Sequence, residues 1–114
     1  MPANSASLET GLTATRSLVV EGSVLYSPSG KPEHSVLSSP AMIMEMELAC
    51  VDAVRDHLTE GEASVGFHVD VKHLAPAPVG ESVETKATLI EIDGRKLRFR
   101  VETHFGEFLI GTGI

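Results

Sequence analysis

The sequence is poor in cysteine, in basic residues and in long apolar runs. A single cysteine among 114 residues excludes an internal disulfide framework and a cysteine-rich zinc site. Nine basic residues stand against 16 acidic ones, and the net charge of -7 argues against nucleic acid or an anionic membrane surface as the main partner. The longest uncharged stretch falls far short of the ~20 apolar residues that cross a bilayer. The polar N-terminus lacks the basic and then apolar pattern of a signal peptide, so we expect a cytoplasmic protein without a membrane partner.

What the chain does contain is enough apolar material for one modest core. Apolar residues make up 42% of the sequence, which at this length fills one domain but not two. We assign residues 1–13 to a flexible N-terminal segment and residues 14–114 to a single domain. The sequence still has strand character where it stops at Ile114, which leaves open a natural protein that continues further.

The order of the predicted elements indicates an α+β fold. Residues 17–20 form the first predicted strand, and residues 26–33 are dense in turn formers and are typical of a loop that could cover a pocket. Ser39 and Pro40 begin a helix, because serine caps free N–H groups and proline suits the first turn, and we predict a helix from Pro40 to Leu58. Four alternating segments follow, at residues 63–73, 82–92, 96–104 and 105–114. This order predicts an antiparallel sheet wrapped around one central helix.

Glu47 is a carboxylate among apolar residues on the predicted helix. At about 100° per residue, Glu45, Asp52 and Asp56 share a narrow arc, which we assign to the solvent face. Glu47 lies roughly 160° from the centre of that arc, among apolar residues. Burying a carboxylate without a partner costs several kcal/mol, so we expect this side chain to be paired, protonated or catalytic. The sequence leaves a structural ion pair with an arginine of the sheet as the alternative.

His73 is the histidine best placed for a site. Apolar residues recur at every second position from Ala63, and His73 continues their phase, whereas His68 shares the opposite face with charged residues. His73 also lies where the strand ends and a proline-rich turn begins. An inward histidine that is satisfied by a backbone carbonyl is the structural alternative. No metal-binding spacing of histidines occurs, so we predict neither a metal nor a cofactor.

Ser39 and Cys50 each have a structural and a chemical interpretation. As the helix N-cap, the Ser39 hydroxyl would contribute about 1 kcal/mol, and as a site residue it would lie at the positive end of the helix. Free N–H groups at that end can polarise a carbonyl and hold an oxyanion. Cys50 lies in the apolar arc of the helix, which is typical of a packed cysteine, so we leave it out of the site.

From residue 36 to about residue 112 the sequence resembles the fluoroacetyl-CoA thioesterase family, a branch of the hotdog thioesterases. The resemblance rests on Met46-Glu47-Leu48-Ala49-Cys50-Val51, on residues 58–61 with Gly66 beyond them, and on Val71-Lys72-His73 with Pro78 and Gly80 after it. The family's functional threonine, glutamate and histidine align with Ser39, Glu47 and His73, and a glycine that lines its acyl pocket aligns with Gly66. The resemblance therefore implies a hotdog fold, thioester hydrolysis and a homodimer with sites near the subunit interface.

The resemblance also implies something about the substrate. The family's aromatic gate over the acyl group aligns with Glu33, and no aromatic residue occurs between Pro28 and Val65. We therefore expect a small acyl-CoA or a related acyl thioester other than fluoroacetyl-CoA. Arg98 and Arg100 alternate with apolar residues on one strand and could bind the anionic end of CoA, although a strand with one solvated face has the same pattern.

Three hypotheses about function fit these residues. The first is thioester hydrolysis, with Glu47 as nucleophile or general base and His73 as its proton-transfer partner. The second is a hotdog module that binds an acyl thioester without turnover, and the third is a hydratase or dehydratase acting on a thioester. Ser39 and Glu47 lie about 12 Å apart along one helix. Either the substrate and His73 bridge them, or a second subunit supplies one member of the site.

Overall fold

A computed structural model describes residues 8–114 as one long helix packed against an antiparallel sheet. The elements are β1 (Thr13–Val19), β2 (Leu25–Tyr26), β3 (Val36–Leu37), α1 (Ser39–Val54), β4 (Val71–His73), β5 (Ser82–Asp93), β6 (Lys96–Phe105) and β7 (Phe108–Gly113). Five strands form the main sheet in the order β1-β5-β6-β7-β4, and β2 pairs with β3. Each of these pairs is antiparallel, so the predicted α+β architecture is confirmed.

The core lies between α1 and one face of the main sheet. Along β5, buried and exposed residues alternate from Val83 to Leu89, as expected for a strand with one covered face. The helix buries Met42, Met46 and Ala49 against that face. The core also contains one polar pair, in which the hydroxyl oxygens of Thr85 and Thr103 are 2.8 Å apart on neighbouring strands and satisfy each other. The long helix is therefore held in one orientation over the centre of the sheet.

The two ends of α1 differ from the prediction. Ser38 is the N-cap, because its side chain accepts a hydrogen bond of 3.2 Å from the backbone N–H of Ala41. The N-cap prediction for Ser39 is therefore wrong, and the Ser39 hydroxyl is available to another partner. At the other end the α-helix stops at Val54, and a 3-10 turn over Arg55–His57 replaces the last predicted turn.

The predicted solvent face of the helix is wrong at Glu45. This residue is 7% exposed, and its carboxylate accepts a hydrogen bond of 3.3 Å from Nε of Arg16 on β1. Asp52 accepts a second bond of 3.1 Å from Nη1 of the same arginine, and these bonds, that to Asp52 first, raise the pKa of Arg16. Asp56 is exposed, as predicted. A helical wheel gives the direction of each side chain but not the strand that covers it. The contact between Glu45 and Arg16 could therefore not be predicted from the sequence.

The segment before β4 also differs from the prediction. Only Val71–His73 of the predicted strand at residues 63–73 is a strand, and residues 62–70 have no regular secondary structure. Val65 is 82% exposed, and Phe67 is 76% exposed. The apolar alternation that predicted a half-buried strand is present, but between residues 8 and 114 its apolar side chains remain exposed.

The N-terminal part of the predicted flexible segment, residues 1–7, lies outside the described residues. Leu8 and Leu12 pack against the cluster formed by Val54 and Leu89, and the backbone of Leu12 accepts a hydrogen bond from Leu89. The first strand begins at Thr13, four residues earlier than predicted. None of the helices between residues 8 and 114 is long and apolar enough to cross a membrane.

Candidate active site

Ser39 and His73 meet where the first turn of α1 faces the end of β4. The hydroxyl oxygen of Ser39 is 2.8 Å from Nδ1 of His73, although the two residues are far apart in the chain. β4 is the edge strand beside β7, where His73 pairs with Gly111. A Cβ atom at Gly111 would collide with the sulfur of Met42, so glycine at this position lets the sheet approach the start of the helix closely. This close approach brings the serine and the histidine together.

The second nitrogen of the His73 ring, Nε2, is buried and has no hydrogen-bond partner within residues 8–114. A neutral imidazole has one donor nitrogen and one acceptor nitrogen, so the Ser39 contact uses one of them and leaves the other. Buried polar atoms are rarely left unpaired, because losing the contact with water costs roughly 1–3 kcal/mol. Nε2 of His73 is therefore available to bond a ligand atom. The ring could then pass a proton between that atom and the Ser39 hydroxyl.

Ser39 and His73 line a cavity of about 290 Å³. The other lining residues are Tyr26, Val36, Leu37, Leu74, Ala75 and Pro76. Most of this wall is apolar, and the polar side chains on it are the serine, the histidine and the tyrosine. A mostly apolar cavity with a few convergent polar groups is typical of a site for a small organic ligand.

Glu47 faces a different space. It is half-buried in a groove of about 940 Å³ that also contains Ile43, Val51 and Gly66, so the prediction of apolar neighbours is partly met. A Cβ atom at Gly66 would collide with Oε1 of Glu47, so a larger residue there would force the carboxylate to move from this position. Within one chain the structure therefore joins Ser39 with His73 and joins Glu47 with Gly66, but it does not bring the two pairs into one cavity.

Cys50 lies in the same groove as Glu47 and is unsuited to act as a nucleophile. Burial raises the pKa of its thiol to about 12, and the nearby charge of Glu47 adds to the effect. The thiolate is the reactive form of cysteine, so the neutral thiol that prevails at ordinary pH is inert.

The predicted CoA-binding arginines occupy different positions. Arg98 lines the groove with Arg95 and Lys96, and its Nη1 atom is 3.8 Å from the Glu91 carboxylate on β5. Arg100 is exposed and lies outside both cavities. The groove is thus lined by cations on one side and by the Glu47 carboxylate on another. Between residues 8 and 114 no group of three or more metal-binding side chains is close enough to hold a metal ion.

Tyr26 was missed by the sequence analysis, which placed it in a loop. It belongs to β2, where it pairs with Val36 of β3, and so its ring reaches the cavity of Ser39 and His73. Two-residue strands are too short to show a periodic pattern, and the pairing depends on a contact across ten positions. The one available signal was that this is the only tyrosine in the chain.

Comparisons with known proteins agree with this architecture. The family model FlK, described as fluoroacetyl-CoA-specific thioesterase, matches residues 20–114. A fluoroacetyl-CoA thioesterase of Streptantibioticus cattleyicolor is 40% identical over 78 residues, which cover 68% of this chain and 56% of that protein. The chain thus spans little more than half the length of this relative.

Solved structures show the same fold. A phenylalanine-to-alanine variant of the FlK thioesterase in complex with fluoroacetate and CoA superposes with a TM-score of 0.81 at 34% identity, covering 93% of this chain and 90% of the other. A hot-dog-like protein from Thermanaerovibrio acidaminovorans has a TM-score of 0.80 at 23% identity, covering 90% and 76% of the two chains, which supports the fold alone. The predicted hotdog fold is confirmed, and the chain belongs to the FlK family of fluoroacetyl-CoA-specific thioesterases.

Proposed function

We propose that the chain is a thioesterase that hydrolyses a small acyl-CoA or a related acyl thioester. The observation that carries the proposal is the contact between Ser39 and His73 in an apolar cavity, with the second nitrogen of the histidine buried and unpaired. A hydroxyl and an imidazole at a helix start suit the transfer of an acyl group to water. Membership of the FlK family, and the CoA complex of a related structure, support the acyl-CoA class.

In the proposed reaction the thioester carbonyl lies near the start of α1. The positive end of the helix and the Ser39 hydroxyl stabilise the oxyanion that forms on attack. Glu47 either attacks the carbonyl carbon, giving an anhydride that water then hydrolyses, or removes a proton from an attacking water molecule. In both routes the carbon–sulfur bond breaks and His73 gives a proton to the departing thiolate. His73 regains a proton from the water molecule that is consumed, directly when water hydrolyses the anhydride or through Glu47 when Glu47 is the base. The products are a carboxylic acid and the free thiol.

A homodimer is part of the proposal, because Glu47 does not share a cavity with His73 in a single chain. β4 lies at the edge of the main sheet, and the segment that precedes it exposes Val65, Phe67 and Val69. Exposed edges of this kind are sites of pairing with another chain, and such a pairing between identical chains uses a two-fold axis. The partner that best fits this edge is a second copy of the same edge.

The antiparallel pairing of two such edges would complete the site. In such a pairing the two-fold axis passes between two identical residues, and an axis at Asp70 would place Phe67 of one copy opposite the partner's His73, with Gly66 as the next residue along the strand. Glu47 touches the position of Gly66 in its own chain. The pairing would therefore carry Glu47 towards the unpaired nitrogen of the partner's His73.

The activity test uses a panel of acyl-CoA thioesters and three variants, Ser39→Ala, Glu47→Gln and His73→Asn. We expect each variant to lose about 100-fold or more in kcat, because general acid–base groups typically contribute that much. Glu60→Gln and His104→Asn are matched controls outside the site, and we expect them to keep activity. Full activity in both Glu47→Gln and His73→Asn would rule out the site. Binding of a non-hydrolysable analogue without turnover of any thioester would instead favour a binding module.

Mixing two inactive variants tests whether the site is shared. When Glu47→Gln and His73→Asn proteins are unfolded together and refolded, half of the dimers contain one chain of each kind. Each mixed dimer then has one intact site if the residues come from different chains, so activity should recover to about a quarter of the wild-type value. No recovery is expected if each site lies within one chain, and that outcome would contradict the shared site.

The proposed interface at the β4 edge is tested by placing a charged residue in it. Phe67→Asp should convert the dimer into a monomer and abolish activity, because each copy would bury an unpaired carboxylate in the interface. Phe108→Asp is the matched control, since Phe108 is 70% exposed on β7, away from the edge. Molar mass from light scattering on a size-exclusion column gives the oligomeric state. A Phe67→Asp protein that stays dimeric would place the interface elsewhere.

The proposed substrate is not fluoroacetyl-CoA. Glu33, which aligns with the family's aromatic gate, is exposed in a 3-10 turn at Pro32–His34 and lies outside the cavity of Ser39 and His73. An exposed carboxylate cannot close an apolar cavity over an acyl group. We expect kcat/KM for fluoroacetyl-CoA to be no greater than for acetyl-, propionyl- or butyryl-CoA. A strong preference for the fluorinated substrate in a direct comparison would refute this part of the proposal.

A further inference from the structure

The cavity of Ser39 and His73 has one aromatic side chain in its wall, that of Tyr26. The ring is 59% exposed, so it lies partly in the cavity wall and partly in solvent. The residues around it in the lining, including Val36, Leu74 and Pro76, are apolar and carry no large ring of comparable reach. An aromatic side chain in this position gains contact area when a ligand covers it, and it also limits how far the ligand can extend.

The position of Tyr26 relative to the catalytic pair is fixed by the backbone. β2 and β3 pair Tyr26 with Val36, and Ser38 then donates a backbone hydrogen bond of 2.8 Å to the carbonyl of Val24. Leu37 donates another bond of 3.0 Å to Ala77, in the turn that follows β4. This small ladder joins the strand that carries Tyr26, the residues that lead into Ser39 and the turn that follows His73. The backbone hydrogen bonds therefore hold these three segments of the cavity wall together.

The volume of the cavity indicates what size of acyl group fits. At about 290 Å³ it lies at the small end of the range of about 300–1,000 Å³ that is typical of pockets for drug-sized ligands. A thioester group and a short chain fill such a space, whereas a long fatty chain has to leave it past the surrounding wall. Val36 and Leu37 belong to β3, and Tyr26 is the largest side chain of the lining that is also exposed to solvent.

We infer that Tyr26 determines which acyl groups are hydrolysed, by closing the acyl cavity to chains of more than a few carbons. The inference rests on the proposed thioesterase function and adds a specificity residue to it. The ring sets the length limit, and the phenolic hydroxyl brings a hydrogen-bonding group to a wall that is otherwise apolar apart from the catalytic pair. The preferred substrates are therefore short acyl thioesters, and a polar group near the end of the acyl chain is tolerated.

The kinetic test compares chain lengths. We expect wild-type protein to show kcat/KM values that fall steeply from acetyl-CoA to octanoyl-CoA. In Tyr26→Ala the ratio of kcat/KM for octanoyl-CoA to that for acetyl-CoA should rise by about tenfold or more, since one methylene in a fitted pocket already changes this quantity by roughly 10–200-fold. Tyr26→Phe keeps the ring and should keep the wild-type ratio. The same ratio in Tyr26→Ala as in wild type would overturn the inference.

The fluorescence of Tyr26 provides a binding test, because the sequence has no tryptophan. Tyr26 is the only tyrosine and there is no tryptophan, so the intrinsic tyrosine fluorescence of the chain reports this residue alone. A thioether analogue of acetyl-pantetheine has no adenine to absorb the exciting light, and we expect it to change the fluorescence in a saturable way. Pantetheine without the acyl group should give a smaller change at equal concentration. Equal changes with both ligands would show that the ring does not contact the acyl group.

The two tests separate this inference from the proposed function. If Tyr26→Ala hydrolyses short acyl-CoA thioesters with an unchanged dependence on chain length, Tyr26 does not determine specificity. The proposed thioesterase function still holds in that case. If the thioether binds saturably but no thioester is hydrolysed, the proposed enzymatic function is wrong. The inferred contact between the acyl group and Tyr26 still holds in that case. Thermal melting of Tyr26→Ala serves as the folding control, and Tyr26→Leu, which also removes the ring and should also raise the ratio, replaces the alanine variant if that variant is unstable.

Discussion

Two adjacent serines at the start of α1 have different tasks. The Ser38 side chain caps the helix by accepting the N–H of Ala41, and the Ser39 side chain contacts His73. A cap contributes to the stability of the helix, whereas in the proposed mechanism the contact with His73 contributes to the reaction. Because the two positions share one residue type and differ by one place in the chain, they form a natural pair of matched variants.

We predict opposite effects of alanine at the two positions. Ser38→Ala should lower the free energy of unfolding by about 1 kcal/mol and leave kcat/KM unchanged, because it removes the cap. Ser39→Ala should change the free energy of unfolding by less than about 0.5 kcal/mol, since the side chain is exposed, and it should lower kcat. Urea unfolding and steady-state turnover measure the two quantities. Equal destabilisation by both variants would contradict this division of tasks.

The reactivity of the Cys50 thiol can be used to detect the negative charge of Glu47. Its pKa of about 12 is due first to burial and second to the Glu47 carboxylate. Alkylation by iodoacetamide requires the thiolate, so we expect a rate that rises about tenfold for each pH unit up to near that pKa. Glu47→Gln removes the negative charge and should lower the pKa of Cys50, which increases the alkylation rate at a fixed pH below it.

Glu60→Gln is the control for the cysteine measurement, since Glu60 is exposed after the helix and no charge effect of it on Cys50 is found. The chain has no other cysteine, so mass spectrometry of the intact protein follows a single site. If Glu47→Gln and Glu60→Gln react at the same rate, the Glu47 carboxylate does not influence the groove around Cys50.

At the scale of elements, Arg16 joins β1 to α1 through two carboxylates. Glu45 is nearly buried, and Asp52 bonds both Arg16 and the exposed Arg55. A buried carboxylate that loses its partner destabilises the fold more than an exposed pair does. The network therefore has one important member, Arg16, and one peripheral member, Arg55.

Arg16→Met should lower the free energy of unfolding by about 1–3 kcal/mol, because it leaves Glu45 buried without its partner. Arg55→Met should cost less than about 0.5 kcal/mol, because the Arg55 side chain is 64% exposed. Adding Glu45→Met to Arg16→Met should recover most of the loss. Urea unfolding of the four proteins checks the cycle, and a double variant as unstable as the sum of its singles would disprove the coupling.

The elements that could be predicted from the sequence are those with local patterns. β5 and β6 end within one residue of the predicted bounds, because alternation and the turn between them are properties of neighbouring residues. The segment at residues 62–70 has the same alternation, but within residues 8–114 it forms no strand, and of its residues Asp70 is joined by backbone hydrogen bonds to Ile114 beside β7. Alternation shows that a segment can cover an apolar surface, and it does not show which chain supplies that surface.

The candidate site could be predicted only in part, for the same reason. The phase of the strand placed His73 inward, and the helical wheel placed Glu47 among apolar residues. The contact of His73 with Ser39 depends on how β4 lies against the start of α1, which no local pattern contains. Tyr26 was missed because its strand has two residues.

At the scale of the whole molecule, the described chain is longer than a compact domain of its size. Its radius of gyration is 15.4 Å, whereas about 13 Å is expected for a globular domain of this length. The longest dimension is 49 Å and the other two are 24 Å and 23 Å. The proposed dimer accounts for this shape, because the protruding edge with Val65 and Phe67 would then lie inside an interface.

The overall charge determines how an anionic substrate can bind. With a net charge of -7 the protein as a whole repels CoA, so the phosphates have to be met by a local group of cations. The groove that holds Glu47 has such a group in Arg95, Lys96 and Arg98. In the proposed dimer this groove faces the partner's catalytic pair, so these side chains would lie on the path of the CoA moiety.

We therefore predict that Arg98→Glu raises KM for acetyl-CoA by several-fold, up to about tenfold, because the reversal removes an attraction to the phosphates and adds a repulsion, each worth up to about 1 kcal/mol at an exposed site. KM for acetyl-pantetheine, which lacks the nucleotide phosphates, should stay within about twofold. Arg100→Glu should have a smaller effect, since Arg100 lies outside the groove. Lys86→Glu on the outer face of β5 controls for the change in net charge. Raised ionic strength should weaken the effect of Arg98→Glu on acetyl-CoA, because screening reduces both the attraction and the new repulsion. An equal rise in KM for the two substrates would mean that Arg98 shapes the groove and does not bind the phosphates.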